Sequence, residues 1–165
     1  MIRRKAMKKL KIYLAGGLFN AGQRLHNLFL AKYLRELGHA VILPQVEALQ
    51  FFHGDRFDVA GVVESCRQAC QSSENIFVGS ADGADADSGT CVEYGIAITS
   101  AGTAIIYRTD FRTAEEKEVG VNAMLKARGT IFIYHPCFIA DLNQVEGYYR
   151  ELARKIHEAV LSITK

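Results

Sequence analysis

Short β-branched runs alternate along this chain with longer stretches of helical period. Strands are expected at Lys11–Ala15, Ala40–Pro44, Asn75–Gly79, Thr103–Tyr107 and Thr130–Tyr134. Helices fall between them near Gly22–Leu37, Asp58–Ser72, Thr90–Ser100 and Thr113–Lys126, with a last one from Leu142 to Ile163. Runs such as I-I-Y and I-F-I-Y carry no polar face, as befits strands buried on both sides of a parallel sheet. Strand–helix alternation with short links requires right-handed crossovers, and so a doubly wound α/β domain. Gly38 is placed to end the first helix as a C-cap, and Asp110 with Arg112 opens a polar loop before the fourth. In such sheets a ligand lies beyond the carboxyl ends of the strands, near the switch in strand order. That rule singles out Gly16–Asn20, Gln45–Glu47, Ser80–Glu93 and the loop after Tyr107.

Composition narrows the class. The chain has 165 residues, 49% of them hydrophobic and 23% charged, which suits one folded domain rather than a disordered chain. No apolar run approaches the roughly 20 residues of a membrane span, and no signal-peptide core follows the basic start. Cys66, Cys70, Cys91 and Cys137 show neither metal-like nor disulfide-framework spacing, so reduced thiols in a cytoplasmic protein are expected. The net charge of +2 is uneven: Arg3, Arg4, Lys5, Lys8, Lys9 and Lys11 crowd the first eleven residues without an acid. The remainder holds 14 basic against 18 acidic residues, about −4. A short arm without interleaved aromatics is a poor nucleic-acid footprint. Residues 1–10 are therefore read as a flexible basic leader, with Met7 as a possible alternative start, and residues 11–165 as the domain.

The segment richest in chemistry is D-G-A-D-A-D-S-G-T-C-V-E-Y-G, from Asp82 to Gly95. It leaves the third predicted strand, crosses a loop with three aspartates and enters an apolar helix. Ser88 or Thr90 is a suitable cap, which would put Glu93 within about the first turn, where the helix dipole favours a carboxylate. Thr90 and Glu93 also have capping-box spacing, so a structural glutamate and a functional one are both open from the residues alone. A carboxylate in the company of Cys91, Val92, Tyr94 and Ile96 is costly unless it is hydrogen-bonded or used. Asp82, Asp85 and Asp87 lack the EF-hand pattern and read as a solvated polar turn rather than a metal site. The loop A-G-G-L-F allows close backbone approach, yet it has neither the Lys-Ser/Thr of a P-loop nor the third glycine of a dinucleotide fingerprint. Phe19 at its tip suits either the core or stacking on a flat ring. Cys137, His26, His53 and His157 read as packed or surface residues.

These pieces together, K-I-Y-L-A-G-G-L-F, G-H-A-V-I-L-P-Q and D-G-A-D-A-D-S-G-T-C-V-E-Y-G-I-A, resemble the nucleoside 2-deoxyribosyltransferase family over residues 11–125. D-S-G-T-x-x-E-x-G is the specific part. The resemblance implies a flavodoxin-like doubly wound sandwich with a five-stranded, mainly parallel sheet, and no metal or organic cofactor. It makes Glu93 the nucleophile, Tyr13 the hydroxyl that orients it, and Asp87 the aspartate holding the deoxyribose hydroxyls. Phe19 would pack on the base and Gln45 contact it. Gly16 and Gly89 join the substrate-binding set, and Asn122 would reach the site of a neighbouring subunit, so a homo-oligomer is implied. Three positions depart from the pattern. Gly17 replaces a frequent proline, and Asn75 stands where aspartate is common. The aspartate that helps protonate the leaving base in some members is replaced by Cys66 or Arg67, which leaves Glu64, Glu74, Asp55 or a water as candidates.

The implied activity is base exchange on 2′-deoxyribonucleosides through a deoxyribosyl ester of Glu93, with purine or pyrimidine bases as partners and neither nucleic acid nor membrane involved. Two rivals share the fold: a 2′-deoxynucleoside 5′-monophosphate N-glycosidase, and a non-catalytic nucleotide-binding module.

Overall fold

The computed structural model describes residues 11–112 and 120–163. In chain order the strands are β1 (Lys11–Ala15), β2 (Ala40–Ile42), β3 (Phe52–His53), β4 (Arg56–Phe57), β5 (Asn75–Ser80), β6 (Ala104–Arg108) and β7 (Thr130–Tyr134). The helices are α1 (Ala21–Glu36), α2 (Pro44–Glu47), α3 (Val59–Gln71), α4 (Ser88–Ala101) and α5 (Val145–Ile163). Five strands form one sheet in the order β2-β1-β5-β6-β7, every neighbouring pair parallel, while β3 and β4 make a separate antiparallel hairpin. Counted within the sheet alone, the order is 2-1-3-4-5, the flavodoxin-like arrangement, with the direction of winding reversing at β1 and β5.

Alternation along β1 divides the interior into two layers. Ile12 and Leu14 face a cluster with Leu30, Leu34, Leu152 and Ile156 from α1 and α5, whereas Tyr13 and Ala15 face Cys70, Tyr94 and Ala97 from α3 and α4. α5 owes its position to buried residues at Tyr149, Leu152, Ala153, Ile156 and Val160, a stripe of helical period against the sheet. Asn20 caps α1 by accepting from the Gln23 amide at 3.0 Å, and Asp58 caps α3 by accepting from Gly61 at 2.9 Å. Past the C-cap of α1 the chain turns through Gly38 at φ 92°, a left-handed conformation suited to glycine.

The expected fourth helix does not appear as such. Residues 113–119 of it lie outside the described residues, and its described end is a short 3-10 turn, Ala123–Lys126, with Asn122 as the cap. The predicted second strand is also shorter, because Pro44 begins α2 at its first helical position, where its missing N–H costs nothing. A 3-10 turn (Ala48–Phe51) and the β3–β4 hairpin follow α2.

Candidate active site

The loops after β1, β2 and β5 meet at the carboxyl edge of the sheet, and α3 faces them across a cavity of about 690 Å³. Gly16, Leu18 and Phe19 line it from the first loop, Pro44, Glu47 and Ala48 from the α2 segment, and Phe51 and Phe57 from the turn and hairpin. The opposite wall is Val62, Val63, Ser65, Cys66 and Arg67 of α3, with Asp87, Gly89, Thr90, Val92, Glu93 and Ile96 from the start of α4. The walls are mostly apolar with few polar groups, a composition suited to a flat ring attached to a polar sugar.

Glu93 lies on the cavity wall and its carboxylate accepts a hydrogen bond from the Tyr13 hydroxyl at 2.6 Å. The tyrosine is buried, its ring stacked against Phe77 at 6.1 Å, so the hydroxyl is held by packing. Glu93 has a pKa raised above the ordinary carboxylate value by burial. The Tyr13 hydroxyl and the Cys66 thiol oppose that shift by favouring the charged form, and the nearby charge of Asp87 adds to it. Burial likewise raises the thiol of Cys66 and pushes that of Cys70 up to about 12, so both remain protonated at neutral pH.

The cap of α4 is neither Ser88 nor Thr90 but Asp87, whose carboxylate accepts from the Thr90 amide at 2.8 Å and the Thr90 hydroxyl at 2.9 Å. All three residue types make good caps, so local preference alone did not separate them. With Ser88 as the first helical residue, Glu93 falls in the second turn. It therefore does not close a capping box and is directed at Tyr13 instead.

A second, smaller cavity of about 350 Å³ adjoins the first and shares Asp87 with it. Its lining is polar: Gln23, His26, Asn27, Ser80, Asp82 and Asp85 are among the contributors. Asp82 accepts from the Thr109 amide and hydroxyl and from the Asp110 amide at 2.5, 2.6 and 2.8 Å, tying the end of β5 to the end of β6. His26 bridges the hydroxyls of Tyr149 and Tyr107, each at 3.0 Å.

Not every expected residue reaches the main cavity. Gln45 is buried behind the first loop, where its amide accepts from Asn27 at 3.0 Å and donates to the Arg24 carbonyl at 3.1 Å; it lines neither cavity. Both ends of the amide are committed to the protein, because a buried amide must be satisfied. Asn122 is exposed, accepts from the Met124 amide at 3.0 Å, and lies outside both cavities of the single chain. Glu64, Glu74 and Asp55 are likewise absent from the lining, and Glu64 is paired with Arg67 at 2.7 Å.

Sequence reasoning passed over Arg108. Its buried guanidinium donates to the carbonyls of Ala81 and Gly83, fixing the loop that leads to Asp87. The hairpin wall was also missed, although F-H-G-D-R-F carries a two-residue Gly-Asp turn, with Gly54 at φ 63°.

Several solved structures resemble the chain. One, described as a conserved protein from Enterococcus faecalis V583, superposes with a TM-score of 0.60 at 18% identity, covering 87% of this chain and 98% of its own. Another, a 2-deoxyribosyltransferase from Bacillus psychrosaccharolyticus, gives a TM-score of 0.55 at 24% identity, covering 87% and 95%. No curated protein matches the sequence. The family model for nucleoside 2-deoxyribosyltransferase matches residues 12–124, a span that holds Tyr13, Phe19, Asp87 and Glu93. The chain belongs to the nucleoside 2-deoxyribosyltransferase family.

Proposed function

We propose that the protein exchanges the base of 2′-deoxyribonucleosides through a covalent deoxyribosyl ester on Glu93. The observation that carries this reading is the 2.6 Å hydrogen bond from a buried tyrosine to a carboxylate on the wall of a cavity sized for a nucleoside. Tyr13 favours the ionised form of Glu93 and aims it, while burial keeps it poorly solvated, two conditions that make a carboxylate an effective nucleophile. The C1′–N bond breaks with its electron pair leaving on the base, and a Glu93 oxygen bonds to C1′ on the other face. A nitrogen of the incoming base then attacks C1′ and gives up its N–H proton to solvent, matching the proton taken up by the departing base, while the ester bond breaks and the carboxylate is restored. Two inversions give net retention, as in retaining glycoside hydrolysis. None of Glu64, Glu74 and Asp55 lines the cavity, so water remains from that set as the proton source for the departing base.

Asp87 and Gly89 are read as the sugar contacts and Phe19 as the base cover; Phe19 is 79% exposed at the cavity mouth, as a ring awaiting a stacking partner would be. The second cavity favours a nucleoside over its 5′-monophosphate. Asp82, Asp85 and Asp87 line it and, among the described residues, no lysine or arginine does, an unfavourable setting for a phosphate dianion. Among the described residues no helix is long and apolar enough to cross a membrane. The four cysteines are free, as suits the reducing cytoplasm in which we place the enzyme.

The test incubates the protein with deoxyinosine and free adenine and separates the products by chromatography, with Glu93→Ala in parallel. Deoxyadenosine formed by the wild type and not by the variant is the expected result. Accumulation of hypoxanthine alone would point to hydrolysis, and inactivity toward every deoxynucleoside would refute the reading.

A further inference from the structure

The polar groups of the main cavity are unequally occupied. Glu93 is held by Tyr13, Asp87 by Thr90, and Arg67 by Glu64 and Gln71. Glu47 differs: its side chain has no hydrogen-bond or ion-pair partner among the described residues, although it lines the cavity beside Phe51 and Phe57. Its position in the fold is set by α2, which follows β2, whereas Glu93 belongs to the helix that follows β5. β2 and β5 flank β1 on either side, two strand spacings or about 10 Å apart, so Glu47 and Glu93 reach the cavity from different walls. A carboxylate without a partner among the described residues therefore lines the same cavity as the nucleophile, from a wall built on a different strand.

We propose that Glu47 determines base specificity by reading the far edge of a purine, and that it selects purines with a 2-amino group beside N1–H. This inference rests on the base-exchange reading above. A carboxylate is acceptor-only, with two oxygens that suit a pair of parallel N–H donors. The 2-amino-6-oxopurine edge offers N1–H and N2–H side by side and fills both oxygens. Hypoxanthine, which lacks the 2-amino group, offers N1–H alone, and adenine offers one N–H next to a nitrogen lone pair. A pyrimidine joined to C1′ by its single ring is shorter, and its edge stops before the α2 wall. The apolar flank of Phe51 and Phe57 strengthens the discrimination, because a polar edge that leaves water there without its partner loses binding.

The comparison that tests this is deoxyguanosine against deoxyinosine, two donors that differ only in the 2-amino group. Wild-type protein is expected to show kcat/KM about tenfold higher for deoxyguanosine, the effect of one added hydrogen bond to a charged acceptor. Glu47→Ala is expected to bring the ratio close to one by lowering the deoxyguanosine value. Glu47→Gln should do so while keeping both substrates, since an amide pairs with the N1–H and O6 that both bases share. Calorimetry on Glu93→Ala, with and without Glu47→Ala, measures the same preference as binding without chemistry. A binding preference that Glu47→Ala abolishes supports the inference even where no exchange is seen, which separates it from the catalytic reading. Equal wild-type affinities, a preference unchanged by Glu47→Ala, or no binding of either nucleoside would overturn it.

Discussion

Opposing influences act on Glu93: burial and the charge of Asp87 raise its pKa, while the Tyr13 hydroxyl and the Cys66 thiol lower it. Removing one lowering influence has a definite sign. Tyr13→Phe is expected to move the acid limb of the kcat/KM profile to higher pH and to reduce neutral-pH activity about tenfold or more, the range for a lost hydrogen bond to a charge. An acid limb that stays in place would show that the hydroxyl does not support the charged form. The same carboxylate has a cost in stability. Its folded pKa lies above the ordinary value of 4.5, so its favourable contribution is full below that pH and is lost as pH rises through the folded value. Glu93→Gln should therefore melt at a higher temperature than wild type at pH 7, with the difference closing below pH 4.5. A lower melting temperature at pH 7 would mean that the Tyr13 bond outweighs desolvation.

At the scale of elements, α4 carries the site because Asp87 both ends the β5 loop and caps the helix. The two roles separate by substitution. Asp87→Ala removes the cap and should cost about 1 kcal/mol in denaturant unfolding. Asp87→Asn keeps a good cap, so stability should stay within a few tenths of a kcal/mol. It also removes the like charge beside Glu93, so residual activity should extend to lower pH. An equal loss of stability in both variants would reject the cap assignment. Which elements were legible in the sequence follows from similar physics. β1 and β7 have the bounds expected of them, since both read as short apolar runs between turn signals, although β7, at the edge of the sheet, is only half-buried. The stretch from Pro44 to Phe57 did not read well, because four elements of two to four residues each are too short to show a period. That stretch builds a cavity wall, and Glu47, though it closes the Gln45–Glu47 stretch singled out by the strand-end rule, was given no role of its own. Glu93 and Tyr13 were legible through a family pattern; the bond between them, across 80 residues of sequence, is set by packing on one face of the sheet. Gln45 misled for the converse reason: a loop position suggests a ligand, whereas burial next to Asn27 makes it a structural amide.

The whole molecule poses a question about Asn122. It follows the segment outside the described residues, its side chain caps a 3-10 turn, and the adjacent Met124 is 78% exposed. Neither residue lines the cavity that holds Glu93 or the one adjoining it. An asparagine that serves catalysis from this position has to do so in another copy, as we propose, and the arrangement predicts complementation. Glu93→Ala and Asn122→Ala should each be nearly inactive when prepared alone. After the two are mixed and allowed to exchange subunits, a reciprocal assembly pairs the intact Glu93 of one variant with the intact Asn122 of the other. Statistical mixing into two-fold pairs gives half mixed pairs with one whole site each, or about a quarter of wild-type activity. Dilution below the association range should remove the recovered activity along with that of the wild type. If Asn122→Ala alone keeps full activity, or mixing restores none, the site is complete within one chain and Asn122 is only the cap of its 3-10 turn.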